Sequence, residues 1–342
     1  MNVFIVPGFM GTSLYTDWPG RGKKVWLDYW RLARGGLRYL ALAPDGRTPA
    51  DWSDAQQIIA ASPLTDYYGP LVQAAQGLGN VFSFGTDWRT SAADIAVALG
   101  RYIAQIVGND SCVIIAHSQG GLIARGAVTW LASNVSPLVV TRLVTLATPH
   151  YGSVSPLRVW GRIEPTYIQL LALTDPYIGA FTDPQYSTAA RVAATWPALY
   201  ELMPSSAAGP YYLNVSLLRA LYAQTTYQSY QPSVTQARLD AAKAVQTTMA
   251  AWGDPAKTVT VIGRGTKTAV DVADAGLLNS PRGYAYSADG DSQVGVQWAA
   301  WQGATKVYAD GVLHGAMPYD PLILRNLSLL LTGSLTDGQV LT

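Results

Sequence analysis

CVIIAHSQGGLIARG, Cys112 to Gly126, passes from an apolar run into a serine flanked by His, Gln and glycine, then returns to apolar helix formers. The run Cys112 to Ala116 reads as a strand buried on both faces, and Gly121 to Leu131 carries helical spacing. Between them, Ala116-His117-Ser118-Gln119-Gly120 fits the small-x-Ser-x-Gly pattern of a nucleophile elbow. Such a turn holds its serine at a sharp strand-to-helix junction. It needs small residues two places to either side, where strand and helix nearly touch, and it aims the helix N-terminus at a developing oxyanion. The pentapeptide alone reads first as a serine capping an ordinary βα helix, so residues elsewhere must decide.

Outward from this stretch, short apolar runs alternate with longer amphipathic ones. Val3 to Val6, Asn80 to Phe84, Leu138 to Leu146, Thr258 to Ile262 and Thr305 to Tyr308 are strand-like. Pro70 to Leu78, Ala93 to Val107 and Pro321 to Leu331 fit helices. The alternation predicts an α/β fold with a mostly parallel central sheet and helices on both faces. From about residue 155 to 255 strand-like runs give way to prolines, tyrosines and helical spacing, which predicts an inserted helical cap on a core made of 1–154 and 256–342.

Bulk properties exclude several functions. A net charge of +1 over 342 residues supplies no field for nucleic acid or an anionic membrane. Charged residues are 13% against a usual ~25%, and 49% are hydrophobic, which rules out disorder and points weakly to apolar substrates. The one cysteine, Cys112, reads as a buried thiol. No run is long and apolar enough for a spanning helix. The N-terminus lacks a basic, cleavable leader, so the chain as written is expected in the cytoplasm; a leader trimmed beforehand would make it an exported protein.

A serine nucleophile needs a general base, and the chain has three histidines. His117 adjoins the serine and points off the other side of the turn. His150, in LATPHYGS after a strand, suits a structural or pocket-lining role. His314 lies in DGVLHGAM, after a strand and before the last helix, where the base of an α/β-hydrolase belongs. The acid should fall between Ser118 and His314, and YAYSADGDSQVG supplies Asp289 and Asp291. Asp291 is favoured because Gly290 permits a tight turn before it; Asp289 is the alternative. Two such carboxylates also suit a solvated turn, and no spaced ligand set supports a metal. For the oxyanion hole, Gly8 and Gly11 in VPGFMGTSL free the backbone to turn amides inward. The Met10 N–H, or that of Phe9, and the Gln119 N–H are the candidate donors. A phosphate-binding loop is excluded, since no Lys follows the glycines.

With these residues in place the chain resembles the lecithin:cholesterol acyltransferase and lysosomal phospholipase A2 group of α/β-hydrolases. VPGFMG, KVWLDYW, YYGPLVQAAQGLG, GTDWR, AHSQGG, ATPHYGS, WPALYELMP and DGDSQV follow that group's landmarks in order, over nearly the whole chain. The resemblance implies Ser118, Asp291 and His314 as the triad and Met10 and Gln119 as oxyanion donors. It implies a lipid-contacting subdomain within 13–62 with exposed aromatics such as Trp18, and a structural or pocket-forming role for Asp87 to Arg89. Phe9, Trp18, His150 and Tyr151 are the expected substrate contacts. The chain departs from the group in lacking disulfides and in carrying DSQV where Asp-Gly-Thr-Val is usual.

The expected function is hydrolysis of carboxylic, lipid-type acyl esters through a serine acyl-enzyme, as in a lipase, esterase or phospholipase A. No cofactor is expected; the partners are an ester or lipid substrate and a transient membrane or micelle surface, not nucleic acid. The alternatives are transfer of the acyl group to an alcohol, or a non-catalytic protein of the same fold that binds a lipid or partner.

Overall fold

In the computed structural model the run Cys112–His117 is strand β6, buried along its whole length. The structure describes residues 1–16, 22–32, 36–51, 53, 57–108, 110–163, 188–205, 207, 215–231 and 233–342. Strand β6 is flanked by β1 (Asn2–Val6), with Cys112 opposite Asn2, and by β7 (Val140–Leu146), with Cys112 opposite Val140. Outside these lie β5 (Asn80–Ser83) on one side and β8 (Thr258–Arg264), β11 (Thr305–Asp310) and β12 (Gln339–Val340) on the other. All pairings are parallel and the spatial order is β12-β11-β8-β7-β6-β1-β5.

Both faces of the sheet are covered, as parallel sheets require. Successive side chains of β1 and β6 alternate between two cores. Phe4, Val6, Ile114 and Ala116 pack with α3 (Ala92–Val107) and α4 (Gln119–Asn134). Val3, Ile5, Val113 and Ile115 pack with α2 (Thr65–Gln76), α11 (Pro321–Arg325) and α12 (Leu327–Thr332). The Ser91 side chain caps α3 by accepting the Ala93 N–H, and Gly108 ends it at a φ of 57°. The Cys112 thiol is buried, which pushes its pKa up to about 12.

Between β7 and β8 the described residues form helices and no strand: α5 (Ser155–Trp160), α6 (Thr188–Ala193), α7 (Pro197–Glu201), α8 (Val215–Leu221) and α9 (Gln236–Met249). Two small antiparallel sheets lie outside the sequence expectation. β2 (Thr12–Thr16) pairs with β3 (Lys24–Trp26) and β4 (Ile58–Pro63), and β9 (Thr268–Val272) pairs with β10 (Tyr284–Ser287). The short helix α1 (Tyr29–Leu32) follows β3, and α10 (Val296–Ala299) precedes β11. Helix α2 starts at Thr65 rather than Pro70, and the single helix expected over 321–331 is broken at Asn326. No helix among the described residues is long and apolar enough to cross a membrane.

Candidate active site

The parallel sheet brings the C-terminal ends of its strands to one edge, and the loops that leave there converge. Ser118, the first residue after β6, has a φ of 53° and a ψ of −125°. It occupies the N-cap place of α4, yet its side chain makes no capping bond. That removes the helix-cap reading of the pentapeptide. The small residue at 120 is explained differently from the sequence expectation: a Cβ there would lie 2.5 Å from Pro7 O and 2.6 Å from Val6 O. The contact is with the end of β1, not between β6 and its own helix.

The side chain of Ser118 is directed at His314 instead, with Oγ 2.9 Å from Nε2. The other ring nitrogen, Nδ1, lies 2.9 Å from Asp291 Oδ2. A carboxylate only accepts, so Nδ1 carries the proton and Nε2 is left to accept from the serine hydroxyl. Asp291 is held in turn: its Oδ1 accepts the N–H groups of Gln293 at 3.0 Å and Val294 at 2.7 Å, and its backbone carbonyl accepts the His314 N–H at 2.8 Å. All three residues are buried. Asp289, the alternative acid, lies at the surface, where its Oδ2 accepts the Ser287 hydroxyl and its backbone N–H donates to Ser287 Oγ.

The chain has the α/β-hydrolase fold. A model of the PGAP1-like alpha/beta domain matches residues 93–169, the segment that carries the elbow. Among solved structures, the mature lipase BlEst2 of Bacillus licheniformis is 14% identical, with 97% of this chain and 92% of that chain covered and a TM-score of 0.42. Lipase 1 from Pelosinus fermentans is 13% identical over 98% of this chain and 95% of that chain, with a TM-score of 0.39. Similarity at this level carries no functional information. No curated protein matches the sequence significantly. The finer placement beside the lecithin:cholesterol acyltransferase group rests on the sequence motifs alone.

In this hydrolase fold the turn after β1 faces the elbow. Gly8 packs so closely that a Cβ on it would lie 2.8 Å from Ser118 Cβ. Gly11 N–H closes the turn on Gly8 O at 3.0 Å, and Met10 between them has a φ of 62°. Trp26 on β3 holds that conformation by donating its indole N–H to Met10 O at 2.7 Å. The backbone N–H groups of Met10 and Gln119 have no acceptor among the described residues, as donors reserved for an oxyanion require. Phe9 anchors the turn in an aromatic cluster, 5.1 Å from Trp88 and 5.9 Å from Trp196 between ring centres. GTDWR thus supports the site from behind: Asp87 and Arg89 form a paired ion bridge, and Trp88 O accepts the Gln119 side-chain amide.

A cavity of about 30 Å³ lies at Ser118 and His314; its lining is mostly apolar, with Phe9, Val159, Leu199 and Val294, and includes the polar Ser153, Ser155 and Gln293. A larger one, about 740 Å³ and bordered by Arg47, Asp94, Glu201 and Arg238, contains none of the triad residues; the convergent hydrogen bonds, not cavity size, locate the site. Phe9 lines the cavity at Ser118 and His314. His150 and Tyr151 do not. The His150 ring stacks on Trp301 and lies between Arg125 Nη1 and Thr145 Oγ1, and burial followed by the Arg125 charge pushes its pKa well down. The Tyr151 hydroxyl accepts from Gln302 N–H. Trp18 lies outside the described residues. Among the described residues no cluster of three or more His, Cys, Asp or Glu could hold a metal ion. Sequence reasoning assigned no role to Trp26 or Tyr68. Both stand inside quoted landmarks, KVWLDYW and YYGPL, but nothing in an aromatic residue's identity announces a hydrogen bond to a distant backbone.

Proposed function

We propose that the protein is a serine hydrolase of carboxylic, lipid-type acyl esters. Ser118 Oγ attacks the ester carbonyl while His314 Nε2 takes its proton, and Asp291 keeps the imidazole in the required tautomer and stabilises the imidazolium. The Met10 and Gln119 N–H groups receive the oxyanion, His314 returns the proton to the leaving alkoxide, and water releases the acyl group by the same steps. The observation that carries this reading is the unbroken Ser118–His314–Asp291 chain, 2.9 Å at each link, on a left-handed elbow residue. The mostly apolar lining beside the triad, Phe9, Val159, Leu199, Leu202 and Val294 with Ser153, Ser155 and Gln293 among them, supports an acyl ligand. The segment 155–255 serves as the cap, and 13–62, with Tyr29 and Trp30 exposed, as the part that meets a lipid surface.

A fluorophosphonate probe and a panel of p-nitrophenyl esters test it. The wild type is expected to be labelled and to turn over esters, and Ser118→Ala to lose labelling and about 10³-fold or more of its rate. Near-wild-type turnover by Ser118→Ala would remove the assignment.

A further inference from the structure

Behind the candidate triad a second chain of hydrogen bonds runs through groups that the mechanism does not use. Gly8 N–H donates to Tyr68 Oη at 2.9 Å, Tyr68 Oη lies 2.9 Å from His117 Nδ1, and His117 Nε2 lies 2.9 Å from the backbone carbonyl of His314. A carbonyl only accepts, so His117 Nε2 carries the proton. Nδ1 is then a bare acceptor, and the Tyr68 hydroxyl must be its donor. Each link has one allowed direction. Burial and then the neighbouring His314 bring the His117 pKa down to about 3, so the imidazole stays neutral as this arrangement needs.

We propose that Tyr68 and His117 are positioning residues that fix the oxyanion turn and the catalytic base against the nucleophile. The chain joins four segments far apart in sequence: the turn after β1, helix α2, the elbow and the loop of His314. At one end it anchors Gly8, which abuts Ser118 and opens the turn that holds the Met10 N–H. At the other it anchors the His314 carbonyl, while the His314 N–H is held by Asp291 O at 2.8 Å. The backbone of His314 is thereby secured on both sides of the ring that spans Asp291 and Ser118. Neither Tyr68 nor His117 touches the reacting atoms. Their effect is on registration, where a misplacement on the order of 1 Å can cost about a hundredfold in rate.

The proposal rests on the ester-hydrolase reading, and the test separates the two. Wild type, Tyr68→Phe, His117→Gln and His117→Ala are compared for kcat, KM, fluorophosphonate inactivation rate and melting temperature, all assayed well below the lowest melting point. Tyr68→Phe removes one hydroxyl and keeps the ring; kcat and the inactivation rate are expected to fall together by about tenfold or more, with KM within about twofold. His117→Gln retains an amide donor for the His314 carbonyl and is expected to keep more of kcat than His117→Ala. If Tyr68→Phe and His117→Gln lower the melting temperature but leave kcat and inactivation at wild-type values, the residues are structural only and the proposal falls. If Tyr68→Phe does not fold, the order of the two His117 variants decides alone, equal kcat overturning the proposal. A wild type that is neither labelled nor active would instead overturn the ester-hydrolase reading.

Discussion

Ser118 holds a backbone conformation that costs a non-glycine residue on the order of 1–3 kcal/mol. It is kept there from both sides: its N–H extends the β6–β7 ladder to Leu146 O at 2.8 Å, and its carbonyl accepts the Gly121 N–H at 3.0 Å. The same economy of fixed geometry separates the two carboxylates. Asp291→Asn is expected to lower ester turnover by about 10³-fold or more, because an amide facing Nδ1 favours the wrong imidazole tautomer, whereas Asp289→Asn should stay within about threefold. Steady-state kinetics on both variants checks this, and a larger loss at Asp289 would reassign the acid. Sequence alone leaves the pair open, since both residues flank Gly290 in one turn. Burial distinguishes them: Asp291 is 1% exposed and Asp289 lies at the surface. His314 was legible because chain order and a pool of three histidines nearly determine it. The inward turn of His150 was not, because it follows from Arg125 and Trp301, which lie far away in the sequence.

Among the elements, the junction of α7 with α3 carries a buried acid. Glu201 Oε2 accepts the Ala92 N–H at 2.8 Å, inside the first turn of α3. Burial outweighs its hydrogen bonds from Ser91 and Ala92 and raises its pKa from 4.5 to about 7. The folded protein therefore binds more protons here than the unfolded chain between those values. The resulting stability is present in full below pH 4.5 and is lost as pH rises through 7, by on the order of 3 kcal/mol. His117 and His150, both held neutral by burial, act in the opposite direction, losing stability as pH falls below 6.5. The difference between wild type and Glu201→Gln isolates the acid. Denaturant unfolding is expected to show the variant gaining on wild type from pH 5 to pH 8; a constant difference would mean that Glu201 is ionised throughout. The elements themselves were legible in proportion to their burial. Strands covered on both faces read as unbroken apolar runs, while β2, β3, β4, β9 and β10 are only partly buried and carry no such run. Pro70 looks like a helix start, yet it sits within α2, whose inner face is secured by buried Tyr68 and Leu71.

For the molecule as a whole, the parallel sheet and its two covering layers followed from the alternation of runs, whereas the aromatic cluster behind the site depends on distant contacts that no local pattern reveals. Its surface is unusual for a low charge content and for Tyr29 and Trp30, 57% and 79% exposed, side by side on α1. Burying an aromatic side chain in a lipid interface is worth on the order of 1.5–3 kcal/mol, so Trp30→Ala is expected to lower turnover of phospholipid vesicles by about fivefold or more. Hydrolysis of short, soluble p-nitrophenyl esters should stay within about twofold; equal losses on both substrates would place Trp30 outside any lipid contact. The sheet also dictates an order of events during synthesis. Strand β7 has β6 along one edge, and its other edge is closed only by β8, where Leu143 pairs with Thr258. Until Thr258 has emerged, a nascent chain presents β7 as an open edge, the kind of surface that recruits foreign strands. Asp291 and His314 come later still, so a growing chain acquires the partners of Ser118 only after the strand that closes this edge has been made.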